Sequence, residues 1–242
     1  MAKQEFVELR FLRNVKLLIG RATKKRFVTL DGIKVSARAE ALPKHIQSLL
    51  YKKIYEDAER ALVRQSVRSG SKVLEIGAGI GVIGLLAARL AGHGNVVSYE
   101  ANPDLRLLIN ENHELNKVSP ELRMRAVTVD GNPVAFHKSN NIISSSLHER
   151  DETNSVTTVE SDALVDVLEE LRPNIIVMDV EGAEIDLLAD VALTGVEALL
   201  VELHPHIVGQ EKIDALLTSL ETRGFVVTAD REKNVLLKRM MP

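Results

Sequence analysis

From Ser71 to Arg223, short apolar runs alternate with longer stretches in which apolar residues recur every three or four positions. The short runs predict buried strands, and the longer stretches predict amphipathic helices. Because a helix separates most successive strands, we predict right-handed crossovers and a mostly parallel sheet with helices on both faces. The predicted strands span residues 72–76, 95–100, 122–129, 174–179 and 198–204, and the predicted helices span residues 82–90, 104–112, 162–171, 183–189 and 210–223.

The last part of the chain departs from this alternation. Phe225–Thr228 and Val235–Leu237 are apolar runs separated by a short polar turn, so they predict a hairpin whose final strand runs antiparallel to its neighbour. The whole pattern therefore predicts an α/β fold built on a mostly parallel, seven-stranded sheet with a C-terminal antiparallel hairpin.

Before this alternation begins, the chain shows three different patterns. Residues 1–20 mix basic and apolar positions and predict a short amphipathic helix. Residues 26–38 predict a hairpin, because two apolar runs flank the turn-forming pair Asp31-Gly32. Residues 43–67 have apolar positions at helical spacing and predict a helical stretch that Pro43 opens.

We divide the chain at residue 45 on these patterns. Residues 1–45 are predicted to form an N-terminal basic extension with the β-hairpin, and residues 46–242 the α/β domain. Turn-forming residues punctuate two short strand-like runs at about residues 130–160. They predict a β-hairpin insertion close to the edge of the sheet where a ligand would bind.

Composition and charge narrow the function classes. The chain has 242 residues, enough to bury a large core, and no cysteine, which excludes disulfides and cysteine nucleophiles and fits the cytoplasm. The most apolar stretch, Val73–Ala91, contains charged residues and glycines, so no membrane segment is expected.

The charge is unevenly distributed. Residues 1–45 hold eleven Lys and Arg against four Asp and Glu, whereas the net charge of the whole chain is -3. The basic extension could bind RNA phosphates or could be a solvated surface. The net charge and the 3% aromatic content argue against a nucleic-acid partner.

A glycine-rich loop follows the predicted strand at residues 72–76. Gly77 and Gly79 allow a sharp turn and the close approach of a ligand, and the next helix offers free N–H groups at its start. The loop alone is ambiguous, because Gly79, Gly81 and Gly84 also satisfy the G-x-G-x-x-G spacing of a dinucleotide site.

Acidic residues flank this loop. Glu100, at the end of the next strand, would bind ribose hydroxyls in a dinucleotide or in S-adenosylmethionine. Glu75 lies two residues before Gly77, where it could face the ammonium group of S-adenosylmethionine. Glu75 and the pair Asn102-Pro103 after Glu100 favour S-adenosylmethionine over NAD.

Three carboxylates lie within six residues at the end of the strand at residues 174–179, where open α/β sheets bind ligands. We expect Asp179 to lie near the substrate or to cap a helix, and Glu181 to orient a hydroxyl or accept its proton. Glu184 could simply complement a helix dipole. His204 shares a strand face with Glu202 and is a candidate base, substrate ligand or structural residue. These side chains could also hold a divalent ion, but no metal site is assigned.

In combination, these segments resemble the FkbM-type methyltransferase family. The glycine loop identifies only a broad class, whereas its combination with the two later acidic segments is much more specific. One departure is Met178, because many relatives have Lys there, and any role of that Lys is absent. The resemblance covers roughly residues 26–205 and rests on Asp31-Gly32, Tyr55-Glu56, the loop from Val73 to Gly81, Glu100-Ala101-Asn102-Pro103, Glu111-Asn112 with Asn116, Ser144-Ser145-Ser146-Leu147, Asp179-Val180-Glu181-Gly182-Ala183-Glu184 and Glu202-Leu203-His204-Pro205.

The resemblance implies a class I, Rossmann-like methyltransferase domain that binds S-adenosyl-L-methionine and acts on an oxygen nucleophile. It implies that Asp179 lies near the reacting methyl group and that Tyr55 closes over the carboxylate end of the cofactor. Asp162 would reach the adenine amine, although a helix N-cap explains it equally well. The other implied cofactor-binding residues are Glu75, Gly77, Ala78, Gly79 and Gly81 at the methionine end, Glu100 at the ribose, and Ala101 and Asn102 beside the adenine.

We therefore expect O-methylation of a small hydroxylated acceptor, such as a sugar or a polyketide, with Asp179, Glu181 and His204 as catalytic candidates. Three alternatives stay open: RNA methylation through the basic extension, an NAD-dependent oxidoreductase, and a cofactor-binding subunit without turnover. A homodimer also stays open. The sequence names neither the acceptor nor the general base.

Overall fold

The structure, a computed structural model, describes residues 2–38, 40–138 and 155–240. In chain order, its elements are α1 (Ala2–Ala22), β1 (Phe27–Leu30), β2 (Ile33–Ser36), α2 (Lys44–Lys52), α3 (Asp57–Ser66), β3 (Val73–Ile76), α4 (Val82–Ala91), β4 (Val96–Tyr99), a 3₁₀ turn (Pro103–Leu105), α5 (Arg106–Asn116), β5 (Glu121–Arg123), β6 (Ala126–Thr128), β7 (Val134–Lys138), β8 (Ser155–Val159), β9 (Ser161–Ala163), α6 (Leu164–Leu171), β10 (Ile175–Met178), α7 (Glu184–Ala189), β11 (Ala198–Glu202), α8 (Pro205–Val208), α9 (Gln210–Thr222), β12 (Phe225–Arg231) and β13 (Asn234–Arg239).

Seven strands form the central sheet, in the order β12-β13-β11-β10-β3-β4-β5. The strands from β11 to β5 are parallel, and β13 and β12 add an antiparallel hairpin beside β11. The predicted seven-stranded α/β fold is therefore confirmed. Ile76, Met178 and Val201 pair in register, so β3, β10 and β11 reach the same edge of the sheet. The residues that follow these strands meet at that edge.

Two apolar layers cover the sheet, because side chains alternate between its faces along each strand. Val177 and Leu200 face the layer that includes α2, α3 and α4, whereas Ile176 and Leu199 face the layer of α6, α7 and α9. The predicted hairpin at residues 26–38 is confirmed as β1 and β2. It contributes its buried side chains to the first of these layers: Val28, Leu30, Ile33 and Val35.

Asn112 and Asn116 of α5 fix this hairpin to the domain. The Asn112 Oδ1 atom accepts a bond from the Ser36 N–H at 2.8 Å, and its Nδ2 donates to the Ile80 carbonyl at 2.8 Å. The Asn116 side chain bonds both backbone groups of Lys34. One helix therefore ties the hairpin to the loop that precedes α4, while a domain boundary at residue 45 stays a prediction.

The predicted N-terminal helix is confirmed as α1, which contacts α2. Gly20 packs directly against the ring of Tyr51, whose hydroxyl donates to the Lys25 carbonyl at 2.9 Å. Apolar side chains of α1 are also exposed: Leu9, Phe11, Leu12, Leu18 and Ile19. Throughout the part of the chain that the structure describes, no helix combines the length and apolar character needed to cross a membrane.

The helical stretch predicted for residues 43–67 is broken into α2 and α3, contrary to the expectation. Lys53 and Glu56 have positive φ angles of 62° and 50° at the break. The buried guanidinium of Arg60 stabilises the break, because it donates to the Tyr55 carbonyl at 2.9 Å and the Lys53 carbonyl at 3.2 Å. Apolar spacing continues through both helices, so periodicity did not reveal the break.

The region around the predicted insertion also differs from the expectation. The single strand predicted at residues 122–129 is two strands, because β5 belongs to the central sheet while β6 pairs in parallel with β9. The helix predicted from Asp162 begins instead at Leu164, and Asp162 lies in β9 rather than at an N-cap. The predicted hairpin is confirmed by the antiparallel pair β7 and β8. Residues 139–154, including Ser144–Leu147, lie outside the described residues.

Candidate active site

The glycine loop is held between two neighbouring strand ends. The N–H groups of Gly77 and Ala78 both donate to the Tyr99 carbonyl at 2.9 Å. Gly77 has a φ of 91°, and a Cβ there would overlap the carbonyl oxygen of Asp179. Only glycine allows this approach. The loop after β3 therefore lies in direct contact with the residue that follows β10.

Glu100 joins the end of β4 to this loop. Its buried carboxylate accepts the Gly79 N–H and the Asn102 N–H, each at 2.7 Å. Burial raises the pKa of Glu100 to about 7, although these hydrogen bonds oppose the shift. A carboxylate offers about four acceptor positions, and the backbone of Ala101 uses a third, so about one remains for a hydroxyl group of a ligand. Ala101 and Asn102 follow, and Ala101 packs against Ala126 and Val159.

Glu75 lies between the sheet and α4, with only 1% of its surface exposed. The Ser98 hydroxyl donates to its Oε2 atom, and Oε1 has no hydrogen-bond partner among the described residues. Burial raises the pKa of Glu75 to about 7. A Cβ on Gly84 would overlap this carboxylate, so Gly84 is explained by helix–sheet packing. A contact of Glu75 with the cofactor stays a prediction.

Tyr55 and Glu56 stand beside the glycine loop. A Cβ built on Gly79 would lie 3.5 Å from the Tyr55 hydroxyl and 3.6 Å from Glu56 Oε1. The Oε2 atom of Glu56 is buried without a hydrogen-bond partner in the described chain, and burial raises the pKa of Glu56 to about 8. Glu56 entered the sequence predictions only as part of the family resemblance and not as a site residue, because its position depends on the break between α2 and α3.

His204 lies at the centre of a cluster of carboxylates after β10 and β11. Its imidazole is 2% exposed, and Nδ1 lies 3.2 Å from Oε1 of Glu184. Nε2 lies 3.6 Å from Asp179 Oδ1, 3.5 Å from Glu181 Oε2 and 3.6 Å from Glu202 Oε1. The structure thus brings the three predicted catalytic candidates, Asp179, Glu181 and His204, together.

Burial and crowding set the ionisation of this cluster. Burial raises the pKa of Asp179 well above its ordinary value, and Glu202 adds to the shift. Burial also raises the pKa of Glu59, which is 4% exposed and was not selected from the sequence. Burial lowers the pKa of His204, but the hydrogen bond to Glu184 and the nearby Asp179 outweigh it and raise that pKa overall.

Glu184 contacts both the backbone and the ring of His204. Glu184 is 0% exposed and accepts the backbone N–H of His204 at 3.1 Å and of Gly182 at 2.7 Å. Burial would raise the pKa of Glu184, but the His204 contact outweighs it and lowers that pKa. The sequence suggested a helix-dipole role for Glu184, whereas the structure shows a specific partner.

Asp162 lies apart from this cluster. Its carboxylate accepts the Tyr99 hydroxyl at 3.0 Å and pairs with Arg125 at 2.8 Å. The Tyr99 backbone carbonyl in turn holds the glycine loop. Asp162 therefore connects to the loop through Tyr99, and its predicted contact with adenine stays a prediction.

Comparison with known proteins identifies the family of this chain. The family described as methyltransferase FkbM domain matches residues 75–227. Hexuronic acid methyltransferase AglP of Haloferax volcanii is 27% identical over 190 residues, covering 76% of this chain and 76% of that protein. The ribosomal protein L11 methylase structure from Lactobacillus delbrueckii subsp. bulgaricus has a TM-score of 0.46 and 11% identity, covering 76% of this chain and 79% of its own.

A precorrin-6y C5,15-methyltransferase structure from Geobacter metallireducens GS-15 also has a TM-score of 0.46 and 11% identity, covering 82% of this chain and 93% of its own. The family match spans more than half of the chain and includes the glycine loop, Asp179 and His204. The chain is therefore a methyltransferase and belongs to the methyltransferase FkbM domain family.

Proposed function

We propose that the protein transfers a methyl group from S-adenosylmethionine to a hydroxyl of a sugar acid. The observation that carries this proposal is the contact between Gly77 and the Asp179 carbonyl, because it joins the glycine loop to the carboxylate cluster. A cofactor in the loop would then face an acceptor in the cluster. The relative from Haloferax volcanii, named for hexuronic acid, supports a sugar acid as the first acceptor to test.

The residues around the glycine loop fit the cofactor. Glu100 keeps about one acceptor position for a ribose hydroxyl, and the buried Oε2 of Glu56, which has no hydrogen-bond partner among the described residues, suits an ammonium group. The Tyr55 hydroxyl lies beside the same loop and can bind a carboxylate. When bound, S-adenosylmethionine supplies a methyl group already activated on a sulfonium, so the protein contributes chiefly position and proton transfer.

We assign proton transfer to Glu181. This residue has a φ of 53°, an uncommon backbone conformation for a residue other than glycine. The conformation directs its carboxylate to within 3.5 Å of His204 Nε2, at the centre of the cluster. Glu181 therefore accepts the proton of the acceptor hydroxyl, while Asp179 and His204 orient that hydroxyl.

Isothermal titration and a turnover assay test this proposal. S-adenosylhomocysteine, the demethylated product, should bind, and NAD should not. With a radiolabelled methyl group, transfer to a glucuronic acid glycoside should fall about 100-fold or more in Glu181→Gln, as expected for loss of a general base. Asp186→Asn, an exposed acid on α7, is the matched control and should keep full activity.

Three results would contradict the proposal in different ways. If neither S-adenosylmethionine nor its product bound, the cofactor assignment would fail. Binding without transfer to any hydroxylated acceptor would instead support a cofactor-binding subunit. A gel shift with RNA at moderate salt, lost when basic residues of the extension are replaced, would favour RNA methylation.

A further inference from the structure

One nitrogen of the His204 imidazole, Nδ1, lies beside the buried carboxylate of Glu184. Nδ1 lies 3.2 Å from Glu184 Oε1, and Glu184 is itself fixed by two backbone N–H groups. A buried carboxylate can only accept a hydrogen bond, so Nδ1 carries the proton. A carboxylate behind Nδ1 is the usual support of a histidine that binds a metal through Nε2.

The opposite nitrogen faces oxygen atoms without making a hydrogen bond to them. Nε2 lies 3.5 Å to 3.6 Å from carboxylate oxygens of Asp179, Glu181 and Glu202, which is too long for good hydrogen bonds. The side chain of His204 is 2% exposed, so bulk water does not surround it. The Oδ1 atom of Asp179 is also buried, with no hydrogen-bond partner in the ranges that the structure describes.

We propose that Asp179, Glu202 and His204 bind a divalent metal ion. One oxygen from each carboxylate and one imidazole nitrogen lie within 4.8 Å of one another. Two ligands about 2.1 Å from a shared ion, at tetrahedral angles, are about 3.4 Å apart, close to the observed separations. Two carboxylates with one imidazole suit a first-row ion such as Mn²⁺, Fe²⁺ or Zn²⁺ better than Ca²⁺.

Charge gives this ion a role at the acceptor site. The carboxylates of Asp179, Glu181 and Glu202 converge there, and Lys233 approaches Glu202 at 2.9 Å. An anionic acceptor would be repelled by this cluster, whereas a bound dication would offset most of the negative charge and would lower the pKa of a coordinated hydroxyl. This role rests on the proposed function, but binding of the ion does not.

Titration of the full-length protein with Mn²⁺, followed by electron paramagnetic resonance, tests the site, because free Mn²⁺ gives a signal that binding suppresses. We expect one Mn²⁺ per chain and a loss of affinity of at least about tenfold in Asp179→Asn and in Glu202→Gln. Asp186→Asn makes the same chemical change at an exposed position of α7 and should bind Mn²⁺ like the wild type. Circular dichroism checks that each variant is folded, and Glu202→Gln alone suffices if Asp179→Asn does not fold.

The proposal is overturned if the wild type binds no Mn²⁺ at millimolar concentration. That result is expected if Nε2 of His204 carries a proton instead of binding an ion. It is also overturned if Asp186→Asn loses as much affinity as the ligand variants. S-adenosylhomocysteine binding to Glu202→Gln is measured in parallel. Mn²⁺ binding by a wild type that does not bind this product would support the metal site and count against the proposed function.

Discussion

Among the glycines of the loop, Gly77 is the one where an added Cβ would lie closest to another atom, the carbonyl oxygen of Asp179. The effect of replacing this single residue can therefore be predicted. Gly77→Ala places a Cβ against the Asp179 carbonyl, whereas Gly70→Ala has nothing within 4 Å at a similar φ of 84°. Both variants bear the strain of a positive φ, and only the first adds a collision. We expect Gly77→Ala to lower the free energy of unfolding by about 1–3 kcal/mol more than Gly70→Ala in urea titrations. Equal losses would show that the contact does not constrain the loop.

The raised pKa of Glu75 implies that the stability of the protein depends on pH. Its pKa rises from 4.5 to about 7 in the folded protein, because of burial. Between these values the unfolded chain releases the proton first, so the free energy of unfolding falls as pH rises, by about 3 kcal/mol for this group. Glu75→Gln should remove that part of the fall between pH 4.5 and 7, measured by urea titration at several pH values. Glu114→Gln, on the exposed surface of α5, should leave the wild-type profile unchanged.

Single residues were predictable where the local backbone requires a special conformation. The Asp31-Gly32 turn and Gly77 followed from the sequence because a positive φ restricts the residue types that fit. Glu56 and Glu59 were not predictable in the same way. They come within electrostatic range of Asp179 and Glu202 only because the chain turns between α2 and α3, and side-chain hydrogen bonds from Arg60 stabilise that turn.

At the scale of elements, the docking of α1 depends on Gly20. A Cβ there would come within 2.6 Å of the Tyr51 ring, although alanine favours helix formation more than glycine. The two effects have opposite signs, and we expect the collision to dominate. Gly20→Ala should speed hydrogen exchange at the amides of α1, whereas Asn14→Ala, at an exposed position of the same helix, should not. Slower exchange in Gly20→Ala would mean that helix propensity dominates.

The buried strands of the central sheet were predicted well from the sequence, whereas the boundaries of other elements were not. The strand β10 is a buried apolar run, and β3 and β11 are apolar except for Glu75 and Glu202, which is typical of a parallel sheet covered on both faces. The split between β5 and β6 was missed because only Met124 and Arg125 separate the two strands, and neither is a turn-forming residue. Which sheet each joins is decided by distant partners, β4 for β5 and β9 for β6.

At the scale of the whole molecule, the N-terminal hairpin and the sheet share one core. Leu30 is 1% exposed and lies in the same apolar layer as Leu200 of β11. Leu30→Ala should therefore lower the free energy of unfolding of the entire protein by about 2–5 kcal/mol. Far-UV circular dichroism and tyrosine fluorescence should give one coincident urea transition. Two separate transitions would show that the hairpin unfolds independently, and Val129→Ala, at an exposed position, serves as the control.

The pairing of β6 with β9 has a consequence for protein engineering. Because β6 and β9 run parallel, with Ala126 opposite Ser161 and Thr128 opposite Ala163, the chain leaves this strand pair at one end and re-enters it at the other. Val134 and Val159, near the two ends of this excursion, pack close to Ala101 beside the glycine loop. Neither β6 nor β9 belongs to the central sheet, so exchanging the segment between them for that of a relative should leave the register of the central sheet unchanged.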